Sequence, residues 1–256
     1  LLMVAGQFDL SVGSAAALIG VVMAWGTMEY GIVQGIFLSI LCGLAIGIVN
    51  GVCVTVFGIN AFITTLAMLA ILRGLAQVIA GGQTLILPDF DGLGNARPIG
   101  DIPLPVFIFF AVMILMALVM RYTVYGRSMY AIGANAVAAR LAGIRTRTAI
   151  FLGFILSSSA VVIAGLILVS QLGAASPQAA TGLELTVVTA VILGGASLSG
   201  GRGTILGTLL GVLILGVLNN GMTIMNIDSF WQGVAKGVLL LVAVGFDQLR
   251  LRVSDR

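Results

Sequence analysis

Long apolar runs separated by short polar interruptions constrain this chain more than any other feature of its sequence. Charged residues make up only 8% of the chain, against about 25% in soluble domains. Because a helix needs about 20 apolar residues to cross a bilayer, we predict an all-α, polytopic membrane protein with a single transmembrane domain over residues 1–256. Its spans are expected at residues 10–27, 32–57, 61–80, 104–120, 149–170, 203–222 and 230–247.

The longest polar interruption, residues 121–148, is strongly basic. No Asp or Glu occurs between Asp101 and Glu184. Short loops rich in Lys and Arg stay on the cytoplasmic side of a membrane, so we predict that 121–148 is cytoplasmic. Its apolar residues recur at helical spacing, which favours an amphipathic helix that docks a soluble partner. The alternative is a solvated loop whose charge only sets the topology. The arginines are Arg121, Arg127, Arg140, Arg145 and Arg147.

The charges of the other loops predict the order of the crossings. The acidic loop 81–103 is expected on the periplasmic side, and four crossings after 121–148 return a basic C-terminus to the cytoplasm. This order requires the short apolar run 184–196 to be a broken span, completed by the glycine-rich residues that follow. With residues 1–6 as the tail of a further helix, we expect about eight full spans plus that tail. The basic residues of the C-terminus are Arg250, Arg252 and Arg256.

Two segments of the sequence resemble each other. Residues 8–15 and 183–190 both read acid, Leu, hydroxyl residue, Val, and the predicted topology gives them opposite orientations. We therefore predict an inverted-topology repeat, an architecture common among transporters. Each copy is followed by glycine at every fourth residue, a pattern that lets helices pack closely. These glycines are Gly43, Gly47 and Gly51, and Gly203, Gly207 and Gly211.

Several polar residues within or beside the spans are candidates for a substrate pathway. Helix capping is the favoured alternative for the two acids, and hydrogen bonding between helices is the alternative for the two asparagines. The candidates are Asp9, Ser11, Glu184, Asn219 and Asn220. Arg73 lies inside a span, where a charge marks either a functional site or a side chain that reaches outward to the membrane surface.

Other features limit the mechanism. The segment Leu198–Arg202 reads like the signature of ABC ATPase domains, but the chain has no G-x-x-x-x-G-K-[ST] phosphate loop, so we reject that interpretation,. The chain has no His and no relay of acids through its spans, which weakens a proton-driven mechanism. We also find no pattern for a metal site, a catalytic site or nucleic-acid binding, and an intramembrane enzyme would need clustered acids or a nucleophile pair.

The motifs together resemble the permease subunit of the ribose/xylose/arabinose class of bacterial ABC sugar importers. The resemblance extends in order over essentially the whole chain. It departs mildly at Gly133-Ala134-Asn135, where the family usually has Gly-Gly-Asn. The matching stretches are residues 9–14, 60–66 with 73–74, 131–135 with 138–144, 184–185 through 194–203, and 218–221.

This resemblance implies a vitamin-B12-importer-like (type II) ABC permease fold with ten helices, of which the first and most of the second would be missing here. It implies an inner-membrane complex with two cytoplasmic ATPase domains that bind ATP and Mg²⁺, a second permease chain (identical or related) and a periplasmic sugar-binding protein. The permease itself would hold no cofactor. The family's coupling helix would fall on residues 133–144, with contacts from Gly133, Asn135, Ala138, Ala139, Arg140, Leu141, Gly143 and Ile144.

The predicted function is translocation of a monosaccharide, driven by ATP on the partner subunits. One alternative is an ABC permease for another polar solute, such as a nucleoside or a signalling furanose. A further alternative is an ion-coupled secondary transporter, which would have similar inverted repeats and would need a coupling-ion site.

Overall fold

The computed structural model describes residues 1–87 and 89–254, with side chains up to residue 247. It is almost entirely helical. The helices are α1 (Val12–Tyr30), α2 (Ile32–Thr55), α3 (Ala61–Ala80), α4 (Gly92–Asn95), α5 (Leu104–Tyr122), α6 (Val124–Ala134), α7 (Ala136–Leu141), α8 (Thr146–Leu172), α9 (Leu183–Leu193), α10 (Ile205–Ile224) and α11 (Ser229–Ser254). A short antiparallel ribbon pairs β1 (Leu85–Ile86) with β2 (Ala174–Ala175).

Within the described residues, 7 helices are long and apolar enough to cross a membrane, namely α1, α2, α3, α5, α8, α10 and α11. This confirms the prediction of a polytopic helical membrane protein at each long apolar run. The short run beginning at residue 184 forms α9, which has 11 residues and rises only about 16 Å. It is too short to span alone. The basic C-terminal side chains lie outside the described residues.

One local prediction of helix structure was wrong. The apolar pattern over residues 131–144 does not form one amphipathic helix, because Asn135 is extended (φ −163°, ψ 102°) and separates α6 from α7. At the start of the chain, Leu2–Ala5 is a 3-10 helix that ends at Gly6 in the left-handed conformation, and its place at the end of a spanning helix stays a prediction.

One compact unit of the fold contains Phe8–Leu115 and Arg147–Thr181. Helix α1 is the most buried of the 7 spans, and it packs against α2 and α3. Val162 and Val169 of α8 join Ile19, Val21 and Met23 of α1 in the core. This unit therefore surrounds one apolar helix with others, as expected for spans in the interior of a membrane protein.

The glycines of α2 bring that helix against α8 within the same unit. A Cβ at each of them would collide with a side chain of α8; the pairs are Gly43 with Val162, Gly47 with Ser158, and Gly51 with Phe151. Only glycine allows the two backbones to approach this closely.

The second unit contains Leu1–Gln7, Met116–Thr146 and the described residues from Gly182 onward. Gly207 and Gly211 of α10 lie against the backbone of Gly194 and Ala190, so α9 and α10 run antiparallel. Gly203 was predicted to belong to this helical stripe, and that was wrong: it precedes α10, with φ +144°. The glycines of α2, which follows α1, therefore face α8, whereas the glycines of α10, which follows α9, face α9 itself. The two copies thus pack differently, and the inverted repeat stays a prediction.

Candidate functional site

The segment 133–144, which we call the docking segment, exposes a short helix. The Asn135 side chain accepts hydrogen bonds from the backbone N–H groups of Val137 (3.0 Å) and Ala138 (2.9 Å), so it caps the N-terminus of α7. Ala139 is buried. Val137 and Leu141 are 58% and 83% exposed. The segment thus presents an apolar surface that nothing else in the described chain covers.

The C-terminal end of the docking segment is shaped by a glycine. Gly143 has φ +86°, a left-handed conformation that suits glycine and, among other residues, Asn and Asp. The N–H of Ile144 then turns back to donate to the carbonyl of Ala139 (3.0 Å). A Cβ on Gly143 would meet no described atom within 4 Å. Position 143 is therefore exposed and free for contact with a partner.

Basic side chains lie on this exposed helix and on the segments that flank it in the sequence. Arg140 lies on α7 itself, and all five arginines of residues 121–148 are exposed in the structure. Exposed like charges raise the local concentration of acidic partners and steer their approach. The docking segment therefore combines exposed apolar side chains with positive charge, a combination that suits an acidic partner surface. Among the predicted contact residues, Gly133 differs in lying in α6, where a Cβ would overlap the Val4 carbonyl oxygen; its contact with a partner stays a prediction.

The candidate pathway residues Asp9 and Ser11 belong to a partly buried hydrogen-bond network. Asp9 Oδ1 accepts from the Ser11 N–H (3.1 Å) and Ser11 Oγ (2.6 Å), and Asp9 Oδ2 accepts from Ser157 Oγ (3.0 Å). Asn50 Nδ2 donates to Ser11 Oγ (3.0 Å), and Ser11 and Asn50 are each 1% exposed. The network links the N-terminal end of α1 to α2 and α8 through hydrogen bonds.

This arrangement corrects the expectation that Asp9 caps a helix. The N-cap residue of α1 is Ser11, so Asp9 lies two positions before it. Three donors meet its two oxygens, and they come from Ser11 and from Ser157 of α8. We therefore interpret Asp9 and Ser11 as residues that hold helices together.

The other three candidate pathway residues lie near one end of the α9–α10 pair. Glu184 sits in the first turn of α9 without capping it, because the N-cap position is Gly182. Glu184 Oε2 and Asn219 Oδ1 are both buried, with no hydrogen-bond partner among the described residues. The antiparallel packing places them near the same level, while Asn220 is exposed. Glu184 and Asn219 therefore remain candidates for binding a polar group.

Arg73 has a role that the sequence did not indicate. Its Nη1 donates to the carbonyls of Pro177 (2.6 Å) and Ala179 (2.8 Å). Arg73 therefore holds the turn that precedes α9. From the sequence we expected Arg73 to be either a functional charge or a side chain that reaches the membrane surface. Neither interpretation included hydrogen bonds to backbone carbonyls distant in the sequence.

The glycine-rich residues 197–203, which we call the glycine loop, are held by contacts that sequence reasoning also missed. Tyr130 Oη donates to the carbonyl of Gly203 (2.7 Å). Asp247 Oδ2 accepts from Ser197 Oγ (3.2 Å) and from the N–H of Leu198 (3.1 Å). The pattern in this loop that resembles an ATPase signature is therefore explained by tight backbone packing.

The described residues hold 7 apolar spans and an exposed basic helix, α7, which together are typical of a multi-span membrane protein. Comparison with family models identifies it further. The chain belongs to the family described as branched-chain amino acid transport system / permease component, whose model matches residues 1–244.

Curated relatives agree with the resemblance drawn from the sequence motifs. The ribose import permease protein RbsC of Escherichia coli K12 is 39% identical over 254 residues, covering 96% of this chain and 79% of the relative. The L-arabinose transport system permease protein AraH of the same strain is 41% identical over 260 residues, with 97% and 76% covered. AraH of Azospirillum brasilense is 38% identical over 248 residues, with 96% and 73% covered. No solved structure matches the chain significantly.

Proposed function

We propose that this chain is the membrane-spanning permease subunit of an ATP-driven importer, and that its cargo is a monosaccharide. The observation that carries the proposal is the match over nearly the whole chain to permeases named for ribose and L-arabinose. The exposed α7 supports it, because an importer without its own ATPase needs a surface that receives one. The fold we propose is vitamin-B12-importer-like.

The docking segment is the proposed contact with the ATPase subunits. Two ATPase domains would bind ATP and Mg²⁺ in the cytoplasm, and a second permease chain, identical or related, would complete the pathway. A periplasmic sugar-binding protein would deliver the cargo. In this arrangement the chain lies in the bacterial inner membrane with its C-terminus in the cytoplasm, and it has no cofactor of its own.

Transport follows from a change in population between two states. Binding of ATP shifts the equilibrium between an outward-open and an inward-open pathway only if the ATPase contacts differ between them. Cargo binding within the permease is weak in this account, because a translocated sugar must also leave. Neutral Asn, Ser and Thr groups supply hydrogen bonds to hydroxyls without a strong electrostatic anchor.

Co-purification tests the docking segment. The permease alone is tagged, co-expressed with its ATPase subunit and isolated in detergent. Gly143→Asp and Gly143→Asn place side chains of the same size in the same backbone conformation, so only the charge differs. We expect the ATPase to remain with Gly143→Asn and to be lost from Gly143→Asp, because an unpaired charge buried in an interface is strongly destabilising.

A second variant removes an apolar anchor in place of adding a charge. Leu141→Asn leaves the fold of the free permease unchanged, because Leu141 is almost fully exposed, and it is expected to weaken retention of the ATPase. Full retention in both Leu141→Asn and Gly143→Asp would move the ATPase contact elsewhere. Absence of any ATPase with the unaltered permease would overturn the importer assignment and favour the ion-coupled alternative.

A further inference from the structure

The inner face of α6 rests directly on the glycine loop. Tyr130 and Gly133 are three residues apart and therefore share one face of the helix. Tyr130 Oη donates to the Gly203 carbonyl (2.7 Å), and Gly133 lies against the N–H of Gly201 and the carbonyl of Val4. One side of α6 thus contacts two points of the loop.

The contact at Gly133 is made between backbones. A Cβ at this position would overlap the Val4 carbonyl oxygen and the Gly201 nitrogen, and these two groups already bond to each other at 2.7 Å. Backbone atoms in a closed hydrogen bond cannot move aside as a flexible side chain can. The junction is therefore stiff, and a displacement of α6 must move the loop with it.

The glycine loop connects on its other sides to three helices. It follows α9 and precedes α10, where Thr204 caps the helix by accepting from the Gly207 N–H (3.0 Å). At Ser197 and Leu198 it is bonded to Asp247 of α11. A shift of the loop therefore acts on the ends of all three helices.

We propose that the glycine loop transmits movement of the docking segment to α9 and α10, with Tyr130 and Gly133 as the positioning residues. Only Asn135 separates α6 from α7, so a displacement of α7 is passed to α6 within one residue. The packing of α6 against the loop then carries it to the helix pair that includes Glu184 and Asn219. This inference rests on the proposed function, in which ATPase subunits bind α7.

Two tyrosines on the same helix give a matched test. Tyr130→Phe removes the hydroxyl bonded to Gly203. Tyr125→Phe removes a buried hydroxyl that has no partner among the described residues. Burial raises the pKa of Tyr125 to about 12, so its hydroxyl is protonated at neutral pH and the control removes no charge. Both variants leave α7 unchanged.

Each variant is purified with the ATPase, reconstituted in liposomes and assayed for ATP hydrolysis and for uptake of ribose or L-arabinose. We expect Tyr130→Phe to retain the ATPase and its hydrolysis rate, and to lower sugar uptake per ATP hydrolysed about fivefold, the order of one lost hydrogen bond. Tyr125→Phe is expected to match the unaltered protein. A purely structural role would lower hydrolysis and uptake together.

A pair of glycine variants gives a second test. Gly133→Ala should uncouple more strongly, whereas Gly216→Ala adds its methyl where no described atom lies within 4 Å and should have no effect. An unchanged ratio of uptake to hydrolysis in Tyr130→Phe, or an equal loss in Tyr125→Phe, would overturn the transmission role. Failure of the unaltered permease to bind the ATPase would instead overturn the proposed function on which it rests.

Discussion

Replacing Asp9 distinguishes a residue that holds helices together from one that lines the sugar pathway. Its two oxygens accept three hydrogen bonds, from the Ser11 N–H, Ser11 Oγ and Ser157 Oγ. Asp9→Leu removes all three and leaves those donors beside an apolar side chain. Asp9→Asn has the same shape: its oxygen keeps the two Ser11 bonds, and its amide donates to Ser157, whose hydroxyl reverses.

The number and kind of these bonds set the size of the effect. Hydrogen bonds to charged groups contribute about 1.5–3 kcal/mol each, whereas bonds between membrane helices average about 0.6 and reach about 1.7 kcal/mol. Three bonds within one network then give about 3 kcal/mol for Asp9→Leu. For a domain of this size that lowers the unfolding temperature by about 6–12 °C. Asp9→Asn should lose no more than about a third of this stability.

Two measurements on the same preparations decide the role. Thermal stability is followed in detergent as the fraction of monodisperse protein that survives heating, and the KM for sugar is measured in liposomes. We expect a large loss of stability for Asp9→Leu and an unchanged KM for Asp9→Asn. A raised KM in Asp9→Asn, together with wild-type stability in Asp9→Leu, would refute the structural role and return Asp9 to the pathway.

Three further outcomes follow from the packing. Gly47→Ala should destabilise the permease by about 1–3 kcal/mol in the same heating assay, because its methyl meets α8, whereas Gly216→Ala should stabilise it slightly; equal stability of the two would contradict the α2–α8 contact. Arg73→Met should release the turn before α9 and speed maleimide labelling of Gln178→Cys in a background without native cysteines, and an unchanged rate would count against the Arg73 contact. Asn135→Ala should cost about 1 kcal/mol of capping and weaken ATPase retention, and Asn135→Asp should not; similar retention in both would argue against the cap.

The sequence predicts the spans well because a bilayer imposes a simple rule on composition. The run 61–80 coincides with Ala61–Ala80, and 32–57 differs from Ile32–Thr55 only at its C-terminal end. Backbone N–H and C=O groups within lipid must form their hydrogen bonds inside the chain, so a long apolar run in a membrane forms a helix. Local composition is sufficient information for such elements.

The interruption at Asn135 shows where periodicity misleads. The apolar pattern continues across residues 131–144 as though one helix ran through it, but Asn is a strong N-cap residue. Its side chain accepts from the N–H groups of Val137 and Ala138, which ends α6 and begins α7. The sequence did contain this signal, since Asn followed by a run of good helix formers is a start signal.

Contacts between distant residues could not be predicted in the same way. Tyr130 meets Gly203 and Asp247 meets Ser197 only because the helices between them bring them together. Arg73 likewise bonds carbonyls more than a hundred residues away, as the separation of 104 to Pro177 shows. Nothing in the local pattern of an Arg, Tyr or Asp identifies such a partner.

The most direct test of the central claim is uptake into sealed liposomes that contain the permease and its ATPase, with the sugar-binding protein on the cargo side. Labelled ribose, L-arabinose and leucine are compared, the last because the family description names branched-chain amino acids. The account predicts sugar uptake that requires ATP on the ATPase side, persists when ionophores abolish ion gradients, and exceeds leucine uptake. Uptake driven by an ion gradient without ATP, or ATP-driven uptake of leucine alone, would contradict it.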